Sequence, residues 1–175
     1  MIFIAEVKTQ SPFGMKSSLS WDELFNIANT TGDWVSIHTD SRWGGSFQLL
    51  RKARQLTNKP ILAKGIHSSD DEVREAFESG ADYVLVVGRI PANYNEKCLI
   101  EPRNYYELSL IPYDINVVWN SRNLNDGSLK HESINMVRQE RCGWLCQASN
   151  ITSINDINPN VQAFIVGEYL QNFKC

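Results

Sequence analysis

The 175-residue chain is 42% hydrophobic and 21% charged, with a formal net charge of −3. That composition fits one globular domain over 1–175 and excludes a disordered chain. It also lacks the basic footprint of a nucleic-acid binder or of a membrane-surface helix, so neither partner is expected.

From Met1 the text reaches Glu6 without a charged leader, so no secretory signal is expected. The longest apolar run, Tyr83–Val87, is far below membrane-spanning length. Cys98, Cys142, Cys146 and Cys175 show no zinc-like pairing and are expected as reduced thiols in a cytoplasmic protein.

In chain order, runs rich in Val, Ile, Leu and aromatics predict strands at Phe3–Lys8, Trp34–His38, Pro60–Lys64, Tyr83–Val87, Cys98–Glu101, Ile115–Asn120, Trp144–Gln147 and Ala163–Val166. Most are continuously apolar, as strands covered on both faces of a parallel sheet must be. Amphipathic stretches lie between several of them. Ser20 with Glu23 reads as a capping box before Leu24, Ile27 and Ala28. Ser46 to Leu56 carries Leu49, Leu50 and Ala53 among basic residues. Ser69 precedes Asp70-Asp71-Glu72, acids suited to a helix start, and Gly80 suits its end.

Strand followed by helix, repeated, predicts parallel strands joined by right-handed crossovers. The repeat thins in the middle. Arg89–Lys97 contains Pro91 and is too short for a crossover helix, and Pro102–Asp114 has room for about two turns, near Tyr105–Leu110. The expected architecture is a compact α/β (β/α)8 barrel with trimmed or missing helices around strands 4–6. An open doubly wound sheet is the alternative, but its Gly-rich fingerprint is absent.

In such barrels the chemistry sits at the C-terminal strand ends. The first strand offers Glu6 and Lys8 on one face, the third Lys64, the fifth Glu101, and the sixth Asn120 followed by Arg122. Converging on one mouth, they supply acid–base pairs and anion-binding groups for a small, negatively charged sugar phosphate. His38, His67 and His131 share no ligating spacing and are expected at the surface or rim.

IAEVKTQSP at Ile4–Pro12 resembles the first strand and loop of the indole-3-glycerol phosphate synthases, which read close to I-A-E-x-K-x-x-S-P. The likeness continues in family order. WVSIHTDSRWGGS stands against a pattern S-I-L-T, an acid, then an aromatic and G-S. KPILAKGI stands against P-I-L-x-K-D-F-I, and it is followed by EAFESGADYVLVV, LIE, VVWNSRNL and QAFIVGEYL.

The resemblance implies a role for each matched position. Lys64 would be the general acid on the sugar carbonyl and Glu101 the general base. Glu6 and Lys8 would support the later dehydration and substrate placement, and Asn120 would donate a hydrogen bond in the transition state. Arg122 would meet the anthranilate carboxylate, Ser11 and Gly167 would meet the phosphate, and Ser149 would be a further substrate-binding residue. Trp43 falls at a family aromatic position. The implied reaction closes the indole ring of a carboxyphenylamino-deoxyribulose phosphate, in tryptophan biosynthesis, and requires no metal or organic cofactor.

Three departures stand against the pattern. The first strand begins at once, without the helical extension the family has before it. The seventh strand should end E-S-G, but CQASNIT sets either Ala148 or Gln147 at the glutamate, with Asn150 replacing the glycine. Asp-Phe after the acid lysine is Gly65-Ile66. A non-catalytic or weakly active sugar-phosphate-binding homologue is therefore the competing reading. Phosphoribosylanthranilate isomerase, which wants a Cys near the first strand's end, fits poorly. The short connections also leave barrel sides that a second copy of the chain could cover.

Overall fold

The computed structural model describes residues 1–173, so Cys175 lies outside the described residues. Eight parallel strands close into a barrel in sequence order: β1 Ile2–Val7, β2 Trp34–His38, β3 Ile61–Lys64, β4 Tyr83–Val87, β5 Cys98–Glu101, β6 Val117–Asn120, β7 Leu145–Ala148 and β8 Ala163–Val166. β1 pairs with both β2 and β8, which completes the ring and leaves no free edge.

The apolar runs are continuous because each strand feeds two cores. In β4, Leu85 and Val87 join the barrel interior with Ile4, Leu62, Leu99, Val118 and Ile165. Val84 and Val86 join the shell beneath the helices, with Phe3, Ile37, Ile100 and Trp119. At the N-terminal end of the barrel, Trp34 stacks on Tyr83 with centroids 4.1 Å apart. In the shell, Phe3 stacks on Phe164 at 5.0 Å.

The first three helices begin where side-chain caps were legible. α1 (Trp21–Thr31) has the full Ser20–Glu23 capping box, with Glu23 accepting from the Ser20 amide at 2.8 Å. α2 (Phe47–Leu56) is capped by Ser46 and α3 (Asp70–Glu78) by Ser69. α3 ends at Ser79, and Gly80 beyond it takes φ +103, where a side chain would also strike Arg54. α4 (Tyr105–Leu110) and α5 (Ile134–Glu140) are short, capped by Asn104 and Ser133.

Among the described residues no helix joins β4 to β5. Tyr94 packs on the shell core there instead, and Asp70 accepts from the Ala92 amide at 3.1 Å. The economy also reaches the last crossover, which the sequence reading did not anticipate. Between β7 and β8 runs only a 3-10 turn at Ile154–Asp156, with buried Ile151, Ile157 and Val161 covering the sheet.

Some boundaries move. β1 ends at Val7, leaving Lys8 just past it; β6 starts at Val117 rather than at residue 115; and β7 is Leu145–Ala148, one residue later than predicted. Cys146 is buried inside the barrel while Cys142 is exposed, and among the described residues no group of three or more His, Cys, Asp or Glu could hold a metal ion. No described helix is long and apolar enough to cross a membrane.

Candidate active site

Strand parity decides which side chains enter the mouth. Counting in twos from the interior residues, the C-terminal layer receives Glu6, His38, Lys64, Val87, Glu101, Asn120, Ala148 and then Gly167, one position from each strand or the residue following it. Above this layer opens a cleft of about 700 Å³, counting the space continuous with solvent, a size that suits a small organic ligand.

Of the residues named from sequence, Glu6, Lys8, Lys64, Glu101, Asn120, Arg122, Trp43, Ser149 and Gly167 all line this cleft. Ser11 does not. It sits in the turn after β1, buried, with its hydroxyl accepting from the Phe13 amide at 3.3 Å.

The charges are organised around Glu6. Its Oε1 accepts from Lys64 Nζ at 3.0 Å and is bonded by His38 Nε2. Burial works to raise the Glu6 pKa, yet Lys64, Lys8 and His38 together hold it well below the usual carboxylate range. Burial likewise opposes the charge on Lys64, but Glu6 and Glu101 outweigh it and raise its pKa. Lys64 therefore stays protonated through neutral pH. Lys8 behaves oppositely: burial, reinforced by Lys64 and Arg122, lowers its pKa despite Glu6 and Glu168.

Glu101 is 1% exposed, and burial raises its pKa against the pull of Lys64 and of Asn120. Asn120 donates to Glu101 Oε1 at 3.0 Å, while Oε2 has no partner among the described residues. The Asn120 oxygen in turn accepts from the Arg122 amide at 3.0 Å. One amide thus orients the carboxylate and ties it to the loop carrying Arg122. The arrangement holds a fixed proton donor, Lys64, and a carboxylate of elevated basicity, Glu101, over one cavity.

Arg122 reaches across the mouth to Asn150 Oδ1 at 3.2 Å and Glu168 Oε2 at 3.4 Å. Asn150 takes φ +55, the conformation expected of a residue standing in for glycine, and Ser149 does the same at +67. Glycine at 167 has a local cause: a Cβ there would lie against Glu6 Oε2.

The ambiguity at β7 resolves by parity. Ala148 belongs to the interior cluster, so the mouth has a methyl group where the family pattern has a carboxylate. Gln147 points outward, its amide donating to Asp156 O at 2.7 Å and accepting from the Asn158 amide at 2.9 Å. Gly65 leaves no room for an aspartate, because a Cβ there would meet the Thr39 hydroxyl and the His67 ring.

Two histidines correct the sequence reading, which put them at the surface or rim. His38 is 4% and His67 3% exposed. His67 bonds Leu85 O at 2.5 Å and Thr39 Oγ1 at 3.0 Å, tying together the segments that follow β2 and β3 and the strand β4. His38 belongs to the charged layer itself. The parity that pairs Glu6 with Lys8 would have found it, since Trp34, Ser36 and His38 share a face. Phe13, Glu168 and Tyr169 also line the cleft and had no separate signal.

Comparisons with known proteins agree with this geometry. The family model described as indole-3-glycerol phosphate synthase matches residues 1–174. A protein of that name from Sulfurisphaera tokodaii is 27% identical over 138 residues, covering 70% of this chain and 56% of its own length. One from Prochlorococcus marinus is 30% identical over 128 residues, covering 62% and 42%. One from Bacillus cereus is 28% identical over 197 residues, covering 95% and 76%. The chain thus spans about half the length of the first two relatives. The closed parallel barrel, its charged mouth and a family match running almost from end to end converge on one conclusion: the chain belongs to the indole-3-glycerol phosphate synthase family.

Proposed function

We propose that the chain is a carboxy-lyase that closes the indole ring of a carboxyphenylamino-deoxyribulose phosphate, releasing one carbon dioxide and one water to give indole glycerol phosphate. Lys64 donates a proton to the sugar carbonyl as the ring carbon attacks it. Asn120 stabilises the transition state and holds Glu101, the general base. Lys8, the more acidic ammonium, and Glu6 serve the dehydration that follows. Arg122 receives the anthranilate carboxylate, and the backbone at Ser149 and Gly167 receives the phosphate, with Ser11 shaping the turn beside it. Trp43 flanks the aromatic ring. The reading needs no cofactor, and it takes the chain as one cytoplasmic barrel domain with reduced thiols, able to self-associate along its trimmed sides.

The observation that carries the reading is the shared cavity of Lys64 and Glu101, with the lysine held protonated and the carboxylate's pKa elevated. Incubating the purified chain with the substrate should yield indole fluorescence, and Lys64→Ala should abolish it. No signal at high protein concentration would refute the proposal.

A second reading, a homologue that binds the sugar phosphate without turning it over, is favoured by Ala148 at the mouth and by Glu168 facing Arg122. Calorimetric binding of a substrate analogue without product formation would support it.

A further inference from the structure

His38 is a costly residue where it stands. It is almost wholly buried, and its Nδ1 has no partner among the described residues. The strand-end pattern that WVSIHTDSRWGGS resembles has leucine there, and an apolar side chain would leave no polar atom unsatisfied. Something offsets that cost.

Its contacts suggest what. His38 and Lys64 are register partners on adjacent strands, β2 and β3, so their side chains run side by side toward β1. Both end on the same atom, Glu6 Oε1. The second carboxylate oxygen, Oε2, faces Gly167 after β8, on the side assigned above to the phosphate. One donor would neutralise the carboxylate yet leave it free to rotate. Two donors from different strands on one oxygen fix its plane. The ring of His38 is itself held, lying parallel to Trp43 at 5.8 Å and 4°.

We propose that His38 is a positioning residue for Glu6 in the ring-closing reaction, gripping Oε1 together with Lys64 so that Oε2 is presented to the substrate. This rests on the function proposed above. The groups around His38 are Glu6 on β1, Lys8 just beyond it, Lys64 on β3 and Asp40 two residues along its own segment. Burial, with Lys64 and Lys8, lowers the His38 pKa despite Glu6. That direction favours the uncharged ring, and because Glu6 Oε1 accepts, the ring nitrogen facing it, Nε2, carries the proton.

The test uses His38→Leu and His38→Gln in the full chain. The leucine variant should fold at least as stably as the parent, lose about tenfold or more in kcat and keep KM within about twofold. Its acidic limb should move to higher pH, because Glu6 loses a bond that lowers its pKa. Glutamine, whose amide donates at similar reach, should restore most of the rate. A leucine variant with parental kcat and pH profile would overturn the proposal, as would a glutamine variant no faster than leucine.

A substrate-free measurement separates this from the proposed activity. Nitrogen NMR should find His38 in the Nε2–H form, and Glu6→Gln should lower its titration midpoint by removing the anion. If the unmodified chain makes no product, the ring-closing reading fails. The titration then judges the His38–Glu6 link alone, and a histidine unmoved by Glu6→Gln overturns that too.

Discussion

Lys64 forms its ion pair with Glu6, at 3.0 Å and 58 residues away in sequence, while Glu101 is held by Asn120. Against burial, the carboxylates prevail, and the lysine's pKa rises. Lys64 and Glu101 thus have separate holders, and both line the one cleft.

Glu6→Gln should shift the alkaline limb of the kcat/KM profile downward. A general acid must be protonated, and a raised pKa extends that state to higher pH. Removing the Glu6 anion removes a main contribution raising the Lys64 pKa, so activity should fail at lower pH than in the parent. An unmoved limb would dissociate Lys64 from Glu6.

Glu101→Gln should abolish turnover and stabilise the fold at neutral pH. Burial raises the Glu101 pKa, so the ionised carboxylate costs stability above its ordinary titration range, and the cost disappears as pH falls through the folded pKa. A gain of about 1 kcal/mol would appear as a Tm increase of about 2–4 °C. The gain should vanish when both proteins are melted in acid, below the ordinary carboxylate range.

Gln147→Ala should destabilise by about 1–3 kcal/mol, because it orphans the Asn158 amide and the Asp156 carbonyl that one buried side chain satisfies. Urea denaturation would read this as a lower midpoint with unchanged slope. The mouth residues lie on the other side of β7, so kcat should hold.

Trp43→Ala should raise KM more than it lowers kcat. Loss of one aromatic contact, worth about 0.5–1.5 kcal/mol, corresponds to roughly a twofold to tenfold weaker KM. Steady-state kinetics would show it. A purely kcat effect would instead make the Trp43–His38 stack the dominant role of the indole ring.

Much of this architecture was legible because the barrel writes simple rules into the chain. Strands with two apolar faces make unbroken runs, so β2, β4, β5 and β8 fall where the text places them. Ser20, Ser46 and Ser69 mark helix starts through bonds that depend only on local sequence. The failures are equally physical. Parity along β2 puts His38 on the inward face, but its partner Glu6 lies 32 residues away and becomes adjacent only when β1 and β2 pair, so the contact itself was not legible. Gln147 and Ala148 could not be ordered by text alone because a one-residue shift exchanges the two faces of a strand. The last crossover carries no helix signature because its substitute is a side-chain device, Gln147 pinning the 3-10 turn nine residues on.

The measurement that bears most directly on the account is a double-mutant comparison of product formation by indole fluorescence, with Lys64→Ala, Glu101→Gln and the pair together. If both groups act on one bound molecule as a unit, each single change should cost at least about a hundredfold, and the double variant should be no slower than the worse single one. Losses that multiply would mean the two side chains do not act as a unit, and a single variant that retains the parental rate would remove that side chain from the reaction.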